Sequence, residues 1–281
     1  MIDILIISFF PFFLSFIITF LFSQVLLSYI HDLSLQGTFL SSNKKKRIKL
    51  NAGSVVLFAG TSLSIILIIA LGFVPPQLFI TILFLGLVLV LLGLNTKIGS
   101  LKLVTLFFFK LLFAILIVTL LNSSFLLLDG LFAIILAVSF AICCVYFVSI
   151  LNLMKRNAIL FPISVTVFGA VLGIYTKDNI LIATNFSVLG SLLAFSYFNF
   201  SKSKKIELGF TGELLIGYAI AAQGIYLYAS EIETTSFKNF LLFAILIFFY
   251  PVGDALQYFV IKGINKVFNK NIKERQIHEY F

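Results

Sequence analysis

Nine long apolar runs divide this chain, and its basic residues fall almost entirely in alternate gaps between them. Of 20 Lys and Arg, 17 lie in five segments, 31–50, 95–102, 152–157, 199–212 and 262–281. Lys177 and Lys238 occupy other gaps, and Lys110 lies inside a run. Loops rich in Lys and Arg stay on the cytoplasmic side of a membrane. The alternation therefore places those five segments inside, with the N-terminus out and the C-terminus in.

The runs extend over roughly 4–30, 51–73, 76–94, 101–121, 126–151, 158–176, 180–198, 213–230 and 237–262. Each is near or above the ~20 residues that a spanning helix needs. With 61% hydrophobic and 11% charged residues, the chain has no stretch from which an extramembrane domain could be built. In lipid only helices or closed barrels satisfy the backbone, and runs of this length predict helices. The expected fold is thus an all-α integral membrane protein, one polytopic bundle of about nine transmembrane helices over residues 1–281. A net charge of +9 follows from that topology and from attraction to anionic lipid, not from nucleic-acid binding.

The first run carries Asp3 and lacks a basic leader. It is also longer than the apolar core of a signal peptide, so it is expected to persist as a helix. Cys143 and Cys144 are adjacent in the fifth span, a spacing that suits neither a disulfide framework nor an ordinary zinc site. They are read as packing residues. Gly169 and Gly173 in the sixth span permit close helix contact. No dinucleotide fingerprint, P-loop, Gly-x-Ser-x-Gly or His-Glu-x-x-His pattern occurs, so those chemistries have no support.

The external connections are short, at Pro75-Pro76, Asn122 to Phe125, Thr176 to Asn179 and Glu231 to Phe237. Any chemistry is therefore expected on the cytoplasmic side, where Lys, Asn, Gly and Ser at helix ends can meet water and a lipid headgroup. The stretch from Gly190 to Ala222 holds a Leu-rich helix, Phe198-Asn199-Phe200, lysines and then Gly209-x-x-Gly212. It resembles the polyprenyl-phosphate N-acetylhexosamine-1-phosphate transferases, the glycosyltransferase 4 family of peptidoglycan and polysaccharide initiation. Similar elements occur in the family's order: Asn43 to Ser54, Gly93, Asn152, Pro251 to Leu256, and a tail around His278. The resemblance implies a bacterial inner membrane protein whose partners are polyprenyl phosphate, other biosynthetic membrane proteins or a second copy of itself. The family continues past its His-rich loop into a further span, so a weaker closure of its groove is expected here.

The departures from the family are as informative. Its members hold Mg²⁺ with aspartates at cytoplasmic helix ends, because hard divalent ions need oxygen ligands and like-charged phosphates repel. Where the resemblance implies those aspartates, this chain has Asn95-Thr96-Lys97, then Asn152-Leu153-Met154-Lys155-Arg156, then Gly209-Phe210-Thr211-Gly212-Glu213. No cofactor is expected, and Mg²⁺ enters only if a divergent active transferase survives.

Three titratable residues remain as catalytic candidates. Glu213 is either a ligand for a relocated ion or a carboxylate in a helix's first turn, where the dipole favours it. Asp254 is either functional or a tie across a backbone break near Pro251 and Gly253. His278 resembles one histidine of the family's loop, or is simply solvated. For lipid phosphate the candidates are Lys45, Lys155, Arg156 and Lys204, each also explicable by topology. Lys110 lies too deep to snorkel and is expected to face protein or a groove. Three readings follow: a degenerate transferase-like protein that binds polyprenyl phosphate, an active divergent transferase, and a lipid-linked transporter.

Overall fold

The structure, a computed structural model, describes residues 2–35, 53–74, 83–84, 86–88, 90–91, 103–124, 131–153, 157–201, 206–229, 241–245 and 247. Among these residues the chain is helical, with no strand. Seven helices are complete: α1 (Ile2–Leu35), α2 (Gly53–Ala70), α3 (Leu103–Ser124), α4 (Leu131–Leu153), α5 (Asn157–Thr176), α6 (Asn179–Phe200) and α7 (Gly209–Ala229). They correspond to the first, second and fourth to eighth apolar runs. Helical residues at 83–84, 86–88 and 90–91, and at 241–245 and 247, fall within the third and ninth.

Five of the helices are long and apolar enough to cross a membrane, and α3 and α4 carry shorter apolar stretches, Phe108–Thr119 and Ile134–Tyr146. The distribution of side chains on α1 argues for lipid around the bundle. Phe9, Phe13, Ile17, Leu21 and Val25 are exposed, while Ser8, Ser15, Thr19 and Ser23 are buried. Water would invert that pattern. Lipid tails are as apolar as Leu, so large apolar groups lose nothing outside, and small or hydroxylated groups gather where helices touch.

Helix ends follow local chemistry. Gly72, at φ +75°, stops α2 in a Schellman turn: its N–H donates to Ile69 O at 2.9 Å and Phe73 N–H to Ile68 O at 3.3 Å. Lys177 adopts the same left-handed conformation, φ 56°, between α5 and α6. Asp178 then caps α6, its Oδ1 accepting from Ile180 N at 2.9 Å and Leu181 N at 3.2 Å. Tyr226 of α7 donates to the other carboxylate oxygen at 2.9 Å.

The most extensive helix pair is α1 with α6, and α2 packs across both. Gly190 of α6 lies against the Phe12 carbonyl of α1, and Phe20 meets Phe198 with ring centroids 5.2 Å apart. Since 12 pairs with 190 and 20 with 198, α1 and α6 run parallel. Ser64 of α2 donates to Pro11 O at 3.0 Å, whereas Gly60 faces Thr19, so α2 runs antiparallel to α1. On the other side, Gly217 of α7 faces Val145 of α4 and Gly224 faces Phe140, an antiparallel pair. Leu181 and Ile182 of α6 sit against Gly173 of α5, and Asn185 against Gly169, as the small-residue spacing predicts.

These directions have a topological consequence. Gly53 of α2 meets Glu207 just before α7 and Ser54 meets Thr211, so α2 and α7 start at the same end. Lys110, near the start of α3, meets Tyr146 near the end of α4, so α3 runs antiparallel to α4 and parallel to α7. Thus α2 and α3 run the same way, although they are consecutive among the complete helices. The third apolar run lies between them in the sequence.

Cys144 joins the buried core, while Cys143 is exposed. One expectation is corrected. The eighth run was read from residue 213, with Gly209 to Gly212 outside the helix, but α7 begins at Gly209. Glu213 therefore lies beyond the first turn of its helix, where no acidic residue stands, and the dipole argument for it fails.

Candidate functional site

A lysine buried in an apolar helix is expensive and demands partners. Lys110 is 7% exposed. Its Nζ lies 4.4 Å from the centroid of the Tyr146 ring of α4 and 5.8 Å from that of Phe210 of α7. The carboxylate of Glu213 of α7 acts on it electrostatically. Three helices thus converge on one ammonium, whose charge is shared between a carboxylate and two π faces. A desolvated cation–π contact alone contributes about 2 kcal/mol. Tyr218 completes the cluster. Its hydroxyl donates to the Lys110 carbonyl at 2.6 Å, and its ring lies 6.0 Å from that of Phe113.

A second constellation sits at the same end of the bundle. Gly53 N–H donates to Glu207 O at 3.1 Å, and the hydroxyls of Ser54 and Thr211 share a hydrogen bond of 3.0 Å. Asn199, in the last turn of α6, donates through Nδ2 to Ile206 O at 2.9 Å. Glycine at position 53 is required: a Cβ there would lie 2.7 Å from Leu208 Cα and 2.9 Å from Glu207 O. The start of α2, the end of α6 and the start of α7 are locked together. Lys49 is four residues from Gly53 and Lys205 two from Glu207, so both basic segments lead into this joint.

The third feature is an apolar groove walled by α2, residues 83 and 86, α5, α6 and α7. It lies on the face of α7 that carries Leu215, Ala219, Ala222, Gln223 and Tyr226. Lys110 and its partners are on a different face.

Of the residues singled out in the sequence, Glu213 and Lys110 are brought together. Lys45, Lys155, Arg156, Lys204, Asp254 and His278 lie outside the described residues, as do Asn95, Thr96 and Lys97. Asn152 is in the last turn of α4, its side chain also outside. Among the described residues no three His, Cys, Asp or Glu side chains cluster. Glu213 already opposes an ammonium, which weakens it as a ligand for a hard cation. The described residues therefore do not fit a magnesium site.

Tyr146, Phe210 and Tyr218 were not anticipated as site residues. For Tyr146 a signal existed. Lys110 lies seven residues after Leu103, and Tyr146 seven before Leu153, so an antiparallel hairpin sets them at equal depth. Compared with family models, with curated proteins and with solved structures, the chain finds no match.

Proposed function

We propose that this chain is a nine-span protein of a bacterial inner membrane, N-terminus out and C-terminus in. In this reading it binds polyprenyl phosphate at the cytoplasmic end of its bundle as a degenerate relative of the phospho-sugar transferases. The observation that carries the reading is the joint between Gly53-Ser54, Asn199 and Glu207 to Thr211. Three segments on which the resemblance rests meet there, and lysine runs 44–49 and 202–205 lead into it. The alternating helix directions support the span count. A phosphate headgroup would be drawn to such a basic rim, while its isoprenoid tail stays in lipid.

Transfer chemistry is a separate question. A lysine tethers one positive charge and cannot bridge two phosphates as Mg²⁺ does. Lipid binding can therefore persist where phospho-sugar transfer is lost. Glu213, engaged by Lys110, adds no ligand to the set.

Native mass spectrometry of the purified protein with undecaprenyl phosphate tests the reading. Adducts should form in EDTA and weaken with added salt. They should fall further in Lys155→Ala, beside Arg156, than in Lys45→Ala or Lys204→Ala, because the resemblance implies that position 155 faces the groove, where a charge is screened less than at a surface. No UMP should be released from UDP-N-acetylglucosamine with Mg²⁺ or Mn²⁺. Absence of adducts refutes the lipid assignment. Metal-dependent turnover abolished by Asp254→Asn or Glu213→Gln would establish the active transferase in its place.

A further inference from the structure

Gly209 to Gly212 make the first turn of α7, and between its two glycines only Phe210 and Thr211 have side chains. Thr211 shares a hydrogen bond with Ser54 in the joint with α2. Phe210 turns its ring to the ammonium of Lys110, 5.8 Å from the ring centroid. Glu213, three residues after Phe210 and so on the same side of the helix, acts electrostatically on that ammonium. One short turn thus belongs to two clusters, and its neighbouring side chains, set about 100° apart by the helix, face different helices.

The two attachments are unequal. A hydroxyl pair between membrane helices is weak, since the separated groups find other partners. A buried ammonium has no such freedom, because water is out of its reach and an aromatic face that attracts it is hard to replace. Gly209, at φ +68°, has no side chain to steady the turn, so the turn's position follows from the stronger attachment. What the turn positions is the joint: Glu207, two residues before Gly209, accepts from Gly53 N–H at 3.1 Å, and the basic segments lead in there.

We propose that Lys110 is a positioning residue for the polyprenyl-phosphate site: through Phe210 it fixes the first turn of α7, and so the joint from which the basic segments reach the headgroup. The proposal rests on the lipid reading above. Lys110 does not itself touch the phosphate. It is buried, and the Glu213 carboxylate that acts on it opposes an approaching anion.

The test reads the joint directly, in the full chain with Cys143→Ser and Cys144→Ala. Ser54→Cys with Thr211→Cys replaces hydroxyls 3.0 Å apart by thiols that copper phenanthroline oxidises to a disulfide. Ser64→Cys with Ser187→Cys, also 3.0 Å apart, does the same between α2 and α6. Lys110→Met should slow the 54–211 crosslink about fivefold, the factor that one cation–π contact carries, and leave the 64–187 crosslink unchanged. Lys110→Arg, which keeps a cation that stacks on rings, should restore the rate, and Phe210→Leu should act like Lys110→Met. In native mass spectrometry Lys110→Met should lower undecaprenyl phosphate adducts by the same factor at every salt concentration, since a residue away from the phosphate adds no screened attraction to it. Lys110→Arg should restore the adducts. Unchanged 54–211 crosslinking in both Lys110→Met and Phe210→Leu overturns the proposal. So does equal slowing of both crosslinks, which would make Lys110 a general support of the bundle, and so do adducts that persist when the 54–211 crosslink is slowed. Absence of adducts in the wild-type protein refutes the lipid reading instead, and the two failures are told apart because the crosslinks are read without lipid.

Discussion

Two seams hold this bundle, and they use opposite chemistries. Where α1, α2 and α6 meet, the residues beside the Phe20–Phe198 ring contact are small and neutral: Ser15, Thr19, Gly60, Ser64, Ser187, Gly190 and Ser191. Where α3, α4 and α7 meet, they are large, aromatic or charged: Lys110, Phe113, Tyr146, Phe210, Glu213 and Tyr218. In lipid, apolar burial hardly distinguishes the inside of a bundle from its outside, so association rests on close packing and on polar contacts. The first seam takes the former route, with backbones close and hydroxyls mostly bonded to their own helices, as Ser23 is to Thr19 O at 2.7 Å and Ser187 to Ala183 O at 2.8 Å. The second takes the latter, with Lys110 against two aromatic rings and in the electrostatic field of Glu213.

That difference predicts where single substitutions do most harm. A buried charge that loses an opposite charge nearby is left stranded, a cost that reaches about 3–5 kcal/mol for a fully buried pair. Lys110 is buried and Glu213 only half-buried, so Glu213→Gln should destabilise more than Lys110→Met. The double variant should recover most of the loss. Unfolding of the four proteins in SDS titrations measures this cycle. Additive losses would mean that the two residues are not coupled, and the seam would rest on its aromatic rings.

The small-residue seam should respond to size and not to charge. A Cβ at Gly190 would overlap the Phe12 carbonyl and Ser15 Oγ, and backbone cannot yield as a flexible side chain does. Gly190→Ala should cost about 1–3 kcal/mol, in the range of overpacking. Ser15→Ala, which removes a hydroxyl bonded to its own helix at Phe12 O, should cost far less. Similar losses for the two would show that the seam relies on its hydroxyls, and the contrast with the Lys110 side would narrow.

The sequence makes the first seam easier to foresee than the second. Apolar run lengths give all seven complete helices to within five residues at each end, and the Gly169–Gly173 spacing marks a close contact that the structure contains. The difference at the start of α7, four residues, matters most for the site. Gly209 and Gly212 stand before the apolar run as read from residue 213, yet only Gly209, at φ +68°, has a left-handed backbone, and the helix continues through Gly212. The error moved Glu213 out of its true environment. That Lys110 faces inward is legible from the cost of a charge in lipid. Its partners are not, because helices apolar on all sides carry no periodic signal of their rotation.

Between the seams, the end of the bundle opposite the Gly53–Glu207 joint offers an intermediate case. Asp178 both caps α6 and accepts from Tyr226, tying the α5–α6 turn to α7. Asp178→Ala should cost about 1 kcal/mol for the lost cap, with a further loss from the stranded tyrosine hydroxyl. Tyr226→Phe removes the second part alone. Thermal unfolding of both variants should rank them in that order, and an equal shift would assign the whole effect to the tyrosine.

The smallest expected effect lies at the joint between α2, α6 and α7. Ser54 and Thr211 face each other at 3.0 Å, both buried, across the contact between α2 and α7 that the Gly53–Glu207 backbone bond also holds. Hydroxyl pairs between membrane helices average about 0.6 kcal/mol, since the separated helices find other partners for the same groups. Ser54→Ala and Thr211→Val should therefore show a coupling of that size in a double-variant cycle, near the limit of an SDS titration. If the joint only positions the basic segments, the same variants should leave undecaprenyl phosphate adducts unchanged. A coupling above about 2 kcal/mol would place this neutral pair beside Lys110 and Glu213 as a main support of α7. Loss of adducts without loss of stability would put the two hydroxyls in contact with the phosphate itself.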